Sequence, residues 1–335
     1  MSDPSAARDL ASRALAVAVR LLPGDRSNWG QAMLAELATL DDVGERRRYG
    51  LGCARAVLSD GGARRTVAVH VIALTFVVVA LAFATSISVT GVRIETIVFV
   101  VVLAVLAWSG RRSGLLGPIA EDRLARRIRS GGYAVLGTFI MLALASLPSS
   151  GNLEHKGGVW MFYLAVTLYL AAVLFVTAQR TAIRTRTLQL AAALTVAGLT
   201  AWWVPMLLLT SVRAHSSWAL LSIAVTVLLG LAIGTVLRWP DHQVKLAALA
   251  AGVATCLLVF LAAKYTFLLF PQLVPDVGFV PGMTPTGHVD QNRAEAMDPY
   301  VAELFVGALL AALLIGASTA TRATNRAAYG CLARR

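Results

Sequence analysis

Charge is scarce in this chain. Only 14% of its 335 residues are Asp, Glu, Lys or Arg, where soluble domains carry roughly 25%, so a water-facing surface cannot be built along the whole length. Cysteine is nearly absent too. Cys53, Cys256 and Cys331 stand far apart, which excludes a disulfide framework or a CxxC metal pair. The sequence contains no G-x-S-x-G elbow, no HExxH and no GxxxxGK[ST], and so none of the local geometries that activate a serine, hold zinc or cradle nucleotide phosphates. It shows no repeat of two halves of the kind that marks many secondary transporters. Its first twenty residues are broken by Asp3, Arg8, Asp9, Arg13 and Arg20 and offer no apolar core of a cleavable signal. The 18 acidic residues all fall between apolar runs or at their ends. That leaves no carboxylate expected at mid-membrane and argues against an ion-coupled transporter.

What the chain does have is apolar sequence, 57% of residues with a mean hydropathy of +0.70. The run from Val67 to Val89 is long enough to cross a hydrocarbon core of roughly 30 Å. Arg64 and Arg65 precede it, as cytoplasmic flanks do. The fold class expected is all-α: a polytopic membrane protein with eight transmembrane helices. The spans fall at about 67–89, 94–109, 133–147, 159–178, 188–210, 218–237, 244–270 and 303–320. Residues 1–62 form a short cytoplasmic module, 67–320 the bundle, 271–302 an outer loop, and 321–335 a basic tail. Of the 30 Lys and Arg, only Arg93, Lys156, Arg213 and Arg293 fall in the outer segments, with Lys264 inside the seventh span. The rest lie on the inner side. This asymmetry supports an even number of spans in a cell membrane with both termini cytoplasmic.

The net charge of +12 is distributed between spans rather than gathered on a soluble face with interleaved aromatics, so nucleic acid is not an expected partner. Anionic lipid headgroups on the cytoplasmic side are. The cluster Arg111, Arg112, Arg123, Arg126, Arg127 and Arg129 fits them, or an acidic protein surface. Trp160, Trp202, Trp203 and Trp218 are expected as outer interfacial anchors, and Trp108 and Trp239 as inner ones.

In the N-terminal module, Leu10, Ala14, Val17 and Leu21 recur at helical spacing. After Pro23-Gly24-Asp25, Asn28 with Gln31 predicts a capping box for a second helix whose apolar face is Trp29, Met33, Leu37 and Leu40. A third helix places Leu51, Ala54 and Leu58 on one stripe, and Asp60-Gly61-Gly62 ends it. The segment Trp29-Gly-Gln-Ala-Met33-Leu-Ala-Glu36-Leu37, followed by Glu45-Arg-Arg-Arg-Tyr49-Gly-Leu-Gly52-Cys53-Ala-Arg55-Ala, resembles an N-terminal module that precedes membrane spans in uncharacterised multi-pass proteins of actinobacteria and other bacteria. The resemblance covers about residues 21–58. It implies a cytoplasmic-membrane protein and no activity.

Candidate functional groups are few. Trp29, Met33, Leu37 and Tyr49 are candidate apolar anchors for a partner, with Arg46, Arg47 and Arg48 orienting it. Glu95, Lys264 and Glu303 are candidate polar groups at an outer mouth, Lys264 either snorkelling to the interface or paired with Glu303 or Glu95. Gly230 with Gly234, and Ala308, Ala312 and Gly316, are small-residue stripes for helix packing. Pro205 predicts a kink in the fifth span, and His70 near the inner end of the first is a packed or interfacial histidine. His288 with Asp290 alone makes a weak metal motif, so neither metal nor cofactor is expected. The leading expectation is a non-catalytic regulatory or sensory membrane component that engages a partner through its N-terminal module. A permease-like transporter of an apolar or amphiphilic solute is the alternative, and an intramembrane enzyme the third class.

Overall fold

A computed structural model describes residues 4–20, 22, 26–110, 122–146, 159–178, 183–208, 217–276 and 285–332. The fold is all-α, and the chain divides into two compact units, Met1–Ala82 and Phe83–Arg335.

The first unit contains α1 (Pro4–Val19), α2 (Ser27–Thr39), α3 (Val43–Ser59) and most of α4 (Gly61–Thr85). Helices α1 to α3 close on a small core of Leu15, Ala18, Met33, Leu37, Val57 and Ala63. Gly30 permits the approach of α2 to α1, because a Cβ there would run into the Val19 side chain. Two of the apolar stripes expected from spacing are rotated. On α1 the buried residues are Leu15 and Ala18 while Val17 points outward, and on α3 Gly50 and Val57 are buried while Leu51, 69% exposed, and Leu58 face out. On α3 the smaller Gly50 and Val57 occupy the contact face, and the larger Leu51 and Leu58 lie on the outside. The capping box expected of Asn28 and Gln31 is not formed, since α2 starts at Ser27 without a side-chain cap. Helix α3 is capped instead by Asp42, whose Oδ2 accepts from the Glu45 N–H at 2.8 Å.

Asp60 separates α3 from α4 alone. Its N–H donates to the Val57 carbonyl at 3.0 Å, closing α3. Its Oδ2 accepts from the N–H groups of Gly62 and Ala63 at 2.9 and 3.1 Å, opening α4, and Oδ1 pairs with Arg26. The amide of Ala63 foremost, then that of Gly62 and the charge of Arg26, hold the carboxyl below the ordinary aspartate range against a smaller desolvation effect. Beyond it α4 is apolar and outward-facing, with Val69, Val71, Ile72, Leu74 and Val78 exposed. Such a surface matches a hydrocarbon solvent.

The second unit contains α5 (Thr90–Ser109), α6 (Arg123–Ser146), α7 (Val159–Val176), α8 (Thr185–Leu208), α9 (Ser217–Val236), α10 (Asp241–Leu269), a 3-10 turn at Pro271–Leu273, and α11 (Pro285–Leu332). Helix α10 is the hub, packed by α8, α9 and α11 and buried along most of its length, while α7 bridges α5, α6 and α11. Gly230 and Gly234 set the α9–α10 contact. A Cβ on the first would lie 3.2 Å from Ala248 Cα, and on the second 2.5 Å from Val244 Cγ1. The pair therefore packs within the chain. At the ends of α8 and α10, Gln243 Oε1 accepts from Thr187 Oγ1 at 2.7 Å and from the Arg184 N–H at 3.4 Å.

Among the described residues, five helical stretches have the length and apolarity to cross a membrane: Gly61–Thr85, Thr90–Ser109, Thr185–Leu208, Asp241–Leu269 and Thr286–Ala320. Trp160–Val176 and Leu220–Val236 are shorter apolar helices. This is the composition of a membrane protein. The segment expected as the span 133–147 is the apolar half of α6, whose first half carries four arginines. Helix α11 starts at Pro285, inside the segment expected as an outer loop, and runs through Pro299 to Leu332, into the expected tail. Proline at a first helical position costs no hydrogen bond, which explains the start.

Candidate functional site

Two places gather unusual groups. The first is the outer surface of the N-terminal module. Of its seven expected anchors, Met33 and Leu37 belong to the core, Leu37 being 1% exposed. They hold the module together and are not presented to a partner. Arg46 is also committed, donating to the Leu40 carbonyl at 2.9 Å and to Ser12 Oγ at 3.2 Å. Tyr49 donates to Glu36 Oε2 at 2.6 Å. That bond, then burial, raises the Tyr49 pKa well above the ordinary phenol range, so the donor is retained at any physiological pH. The groups left on the surface are Trp29, 41% exposed, with Arg47 and Arg48. Along α3 the outward stripe continues through Leu51, Arg55 and Leu58. Leu58 then borders an apolar groove lined by Arg64, Val67, Ala68, Val71 and Ile72. The α3 stripe is basic and apolar, and the module's own core leaves it exposed.

The second place is inside the other unit. Glu303 of α11 is 0% exposed, and neither carboxyl oxygen has a hydrogen-bond partner. The neighbouring residue is held: Tyr169 Oη of α7 donates to the Leu304 carbonyl at 3.0 Å. One turn later Gly307 lets α11 close against α7 and α10, since a Cβ there would collide with Tyr169 Oη and lie 2.5 Å from Cys256 Cβ. Cys256 is near the middle of the 29-residue α10, so Glu303 lies one helical turn along α11 from the level of that midpoint. One turn in the other direction, Tyr300 packs edge-on against Trp202 and Phe267 with ring centroids 5.7 and 6.1 Å apart.

The three expected mouth groups are therefore not alike. Glu95 is exposed, Lys264 is half-buried and forms no ion pair with Glu303 or Glu95, and Glu303 is enclosed by protein. Trp202, expected as an interfacial anchor, is 1% exposed in the bundle, whereas Trp108, Trp160 and Trp203 are exposed. On the α11 stripe Ala308 is buried, but Ala312 and Gly316 point outward and pack nothing; Leu304, Gly307 and Ala311 make the contact instead. His288 Nε2 lies 3.5 Å from Asp276 Oδ1, which also accepts from Asn292 Nδ2 at 3.2 Å. This ties the start of α11 to the chain just after the 3-10 turn. The Asp290 side chain lies outside the described residues.

Arg129 is the functional-looking group that spacing arguments assigned to lipid. It is 1% exposed. Its Nε donates to Thr177 Oγ1 at 2.7 Å, Nη1 to the Gly110 carbonyl at 3.0 Å and Nη2 to the Leu174 carbonyl at 2.8 Å. One guanidinium thus satisfies the carbonyl ends of α5 and α7, where the helix dipoles favour a cation. The available signal was its position at helical spacing from Ala125, Gly132 and Leu136. Scans of the chain against family models, curated proteins and solved structures return no match.

Proposed function

We propose that this chain is a non-catalytic regulatory or sensory component of a bacterial cell membrane, crossing it eight times with both termini in the cytoplasm, and that its N-terminal module docks a protein partner with an acidic surface. One observation carries the reading. The module closes its own core with Leu15, Leu37 and Val57 and still leaves Trp29 exposed on α2, and Leu51 and Leu58 exposed on α3 with Arg47, Arg48 and Arg55. Exposed aromatic and aliphatic groups rimmed by arginine are the composition of an interface. The resemblance of residues 21–58 to modules placed ahead of membrane spans supports the same assignment, as does the surplus of basic residues in the inner segments.

The test is cross-linking with mass spectrometry on native membranes, comparing the intact chain with a variant carrying Trp29→Ala, Arg47→Glu and Arg48→Glu. These positions are outside the core, so the module stays folded. A protein cross-linked to residues 26–60 of the intact chain and lost in the variant supports docking. Cross-links to the same proteins in both forms, or binding only to vesicles of anionic lipid, overturn it. The transporter alternative is favoured by the enclosed Glu303 alone, because ionisable groups inside helix bundles mark ion and substrate routes.

A further inference from the structure

We propose that Glu303 is an exchangeable proton-binding site inside the helix bundle, held as the neutral acid while α11 is packed and ionised when α11 separates from α7 and α10. The inference is independent of the docking reading and rests on the enclosure of one carboxyl group. An ionised carboxylate removed from water without a partner costs several kcal/mol. Here neither oxygen has a hydrogen bond. Among the described residues no cation compensates: Lys264 makes no ion pair with it, and no three metal-ligating side chains gather anywhere. The ionisable groups beside it are Tyr169 from α7, bonded to the adjoining Leu304 carbonyl, Cys256 from α10, packed at Gly307 one turn away, and Tyr300 one turn before it on its own helix. Phenols and thiols with ordinary acidities of about 10 and 8.5 are neutral at physiological pH. Helix α9, which also touches α11, carries no ionisable residue. A proton on Glu303 itself is the occupant that this surrounding accommodates.

The neighbouring backbone supplies the means of exchange. Pro299 lies inside α11 four residues before Glu303, and an interior proline removes the hydrogen bond to the carbonyl four residues earlier and forms a bending point. The contact that the bend would open is sealed by Gly307 against Tyr169 and Cys256 on one side and by the aromatic group Trp202, Phe267 and Tyr300 on the other. Opening admits water. The carboxyl O–H bond then breaks, its electron pair stays on the carboxylate, and the proton passes to water as hydronium. Reclosure requires the reverse.

The test is infrared spectroscopy of the full chain in lipid vesicles at neutral pH, where surface carboxylates are ionised. The expected result is a carbonyl band of a protonated carboxylic acid, absent in Glu303→Gln, displaced in frequency in Glu303→Asp, lowered on transfer to D2O, and lost as pH is raised. A wild type without the band overturns the assignment, as does a band that persists in Glu303→Gln or one that stays unmoved in D2O. Loss of the band on adding sodium at constant pH also overturns it, because a metal cation would then be the occupant. If Glu303→Gln fails to fold by circular dichroism, the shift in Glu303→Asp decides the assignment on its own.

Discussion

Leu37 and Trp29 stand two turns apart on one helix and differ in what they can do. Leu37 is sealed among Leu15, Met33 and Val57, so Leu37→Ala is expected to cost about 2–5 kcal/mol. Trp29→Ala is expected to change stability by only ~0.5 kcal/mol, as exposed positions do. Thermal unfolding of the full chain, read through protease sensitivity of the first 60 residues, separates the two. Asp60 gives the module a pH dependence of known sign. Its carboxyl is held below the ordinary range, chiefly by the Ala63 amide, so the stabilisation is complete above the unfolded carboxylate value of about 4 and is lost as pH falls through the lowered one. Protection of the Gly62 and Ala63 amides, taken relative to the intrinsic exchange rate at each pH, is therefore expected to fall on acidification. In Asp60→Asn, whose amide oxygen can still accept, the protection is expected to be nearly independent of pH in the carboxylate range.

At the scale of elements, Arg129 binds the carbonyl ends of two helices. Arg129→Met would remove a charged donor from the Gly110 and Leu174 carbonyls, at about 1–3 kcal/mol each. Arg129→Lys would recover part of that, because an ammonium lacks the planar fork that spans two carbonyls. Melting in detergent should fall most for Met, less for Lys, and hardly at all for Arg126→Ala or Arg127→Ala, whose side chains are exposed. Sequence counted these arginines together because it displays charge and not reach. It also misplaced the faces of α1 and α3, for a related reason. Spacing marks a stripe of apolar residues but not whether the core or the outside receives it, and on α3 the larger residues Leu51 and Leu58 took the outward face. Met33 and Leu37 of α2 were visible as one apolar face but were expected to anchor a partner and instead close the core, whereas at Gly230 and Gly234 spacing and packing coincide.

At the scale of the molecule, hydropathy recognised the apolar helices but not their surroundings. Helix α4 is bare and α10 is wrapped by protein, and the two look alike in composition. For the same reason Glu303 looked like a residue at an entrance: its position in the apolar run was visible and its neighbours on α7 and α10 were not. The eight-span topology is open to a direct check. Single-cysteine variants retaining Cys53 alone or Cys331 alone should react with a membrane-impermeant thiol reagent only from the cytoplasmic side, whereas reaction from opposite sides would require an odd number of crossings. Helix α11 has 48 residues, which at 1.5 Å each make a rod of about 72 Å, far longer than the roughly 40–45 Å of a whole bilayer. Anything that gripped the part beyond the headgroups would therefore hold a lever arm, and leverage applied there would bear on a fulcrum at Pro299 beside the enclosed Glu303.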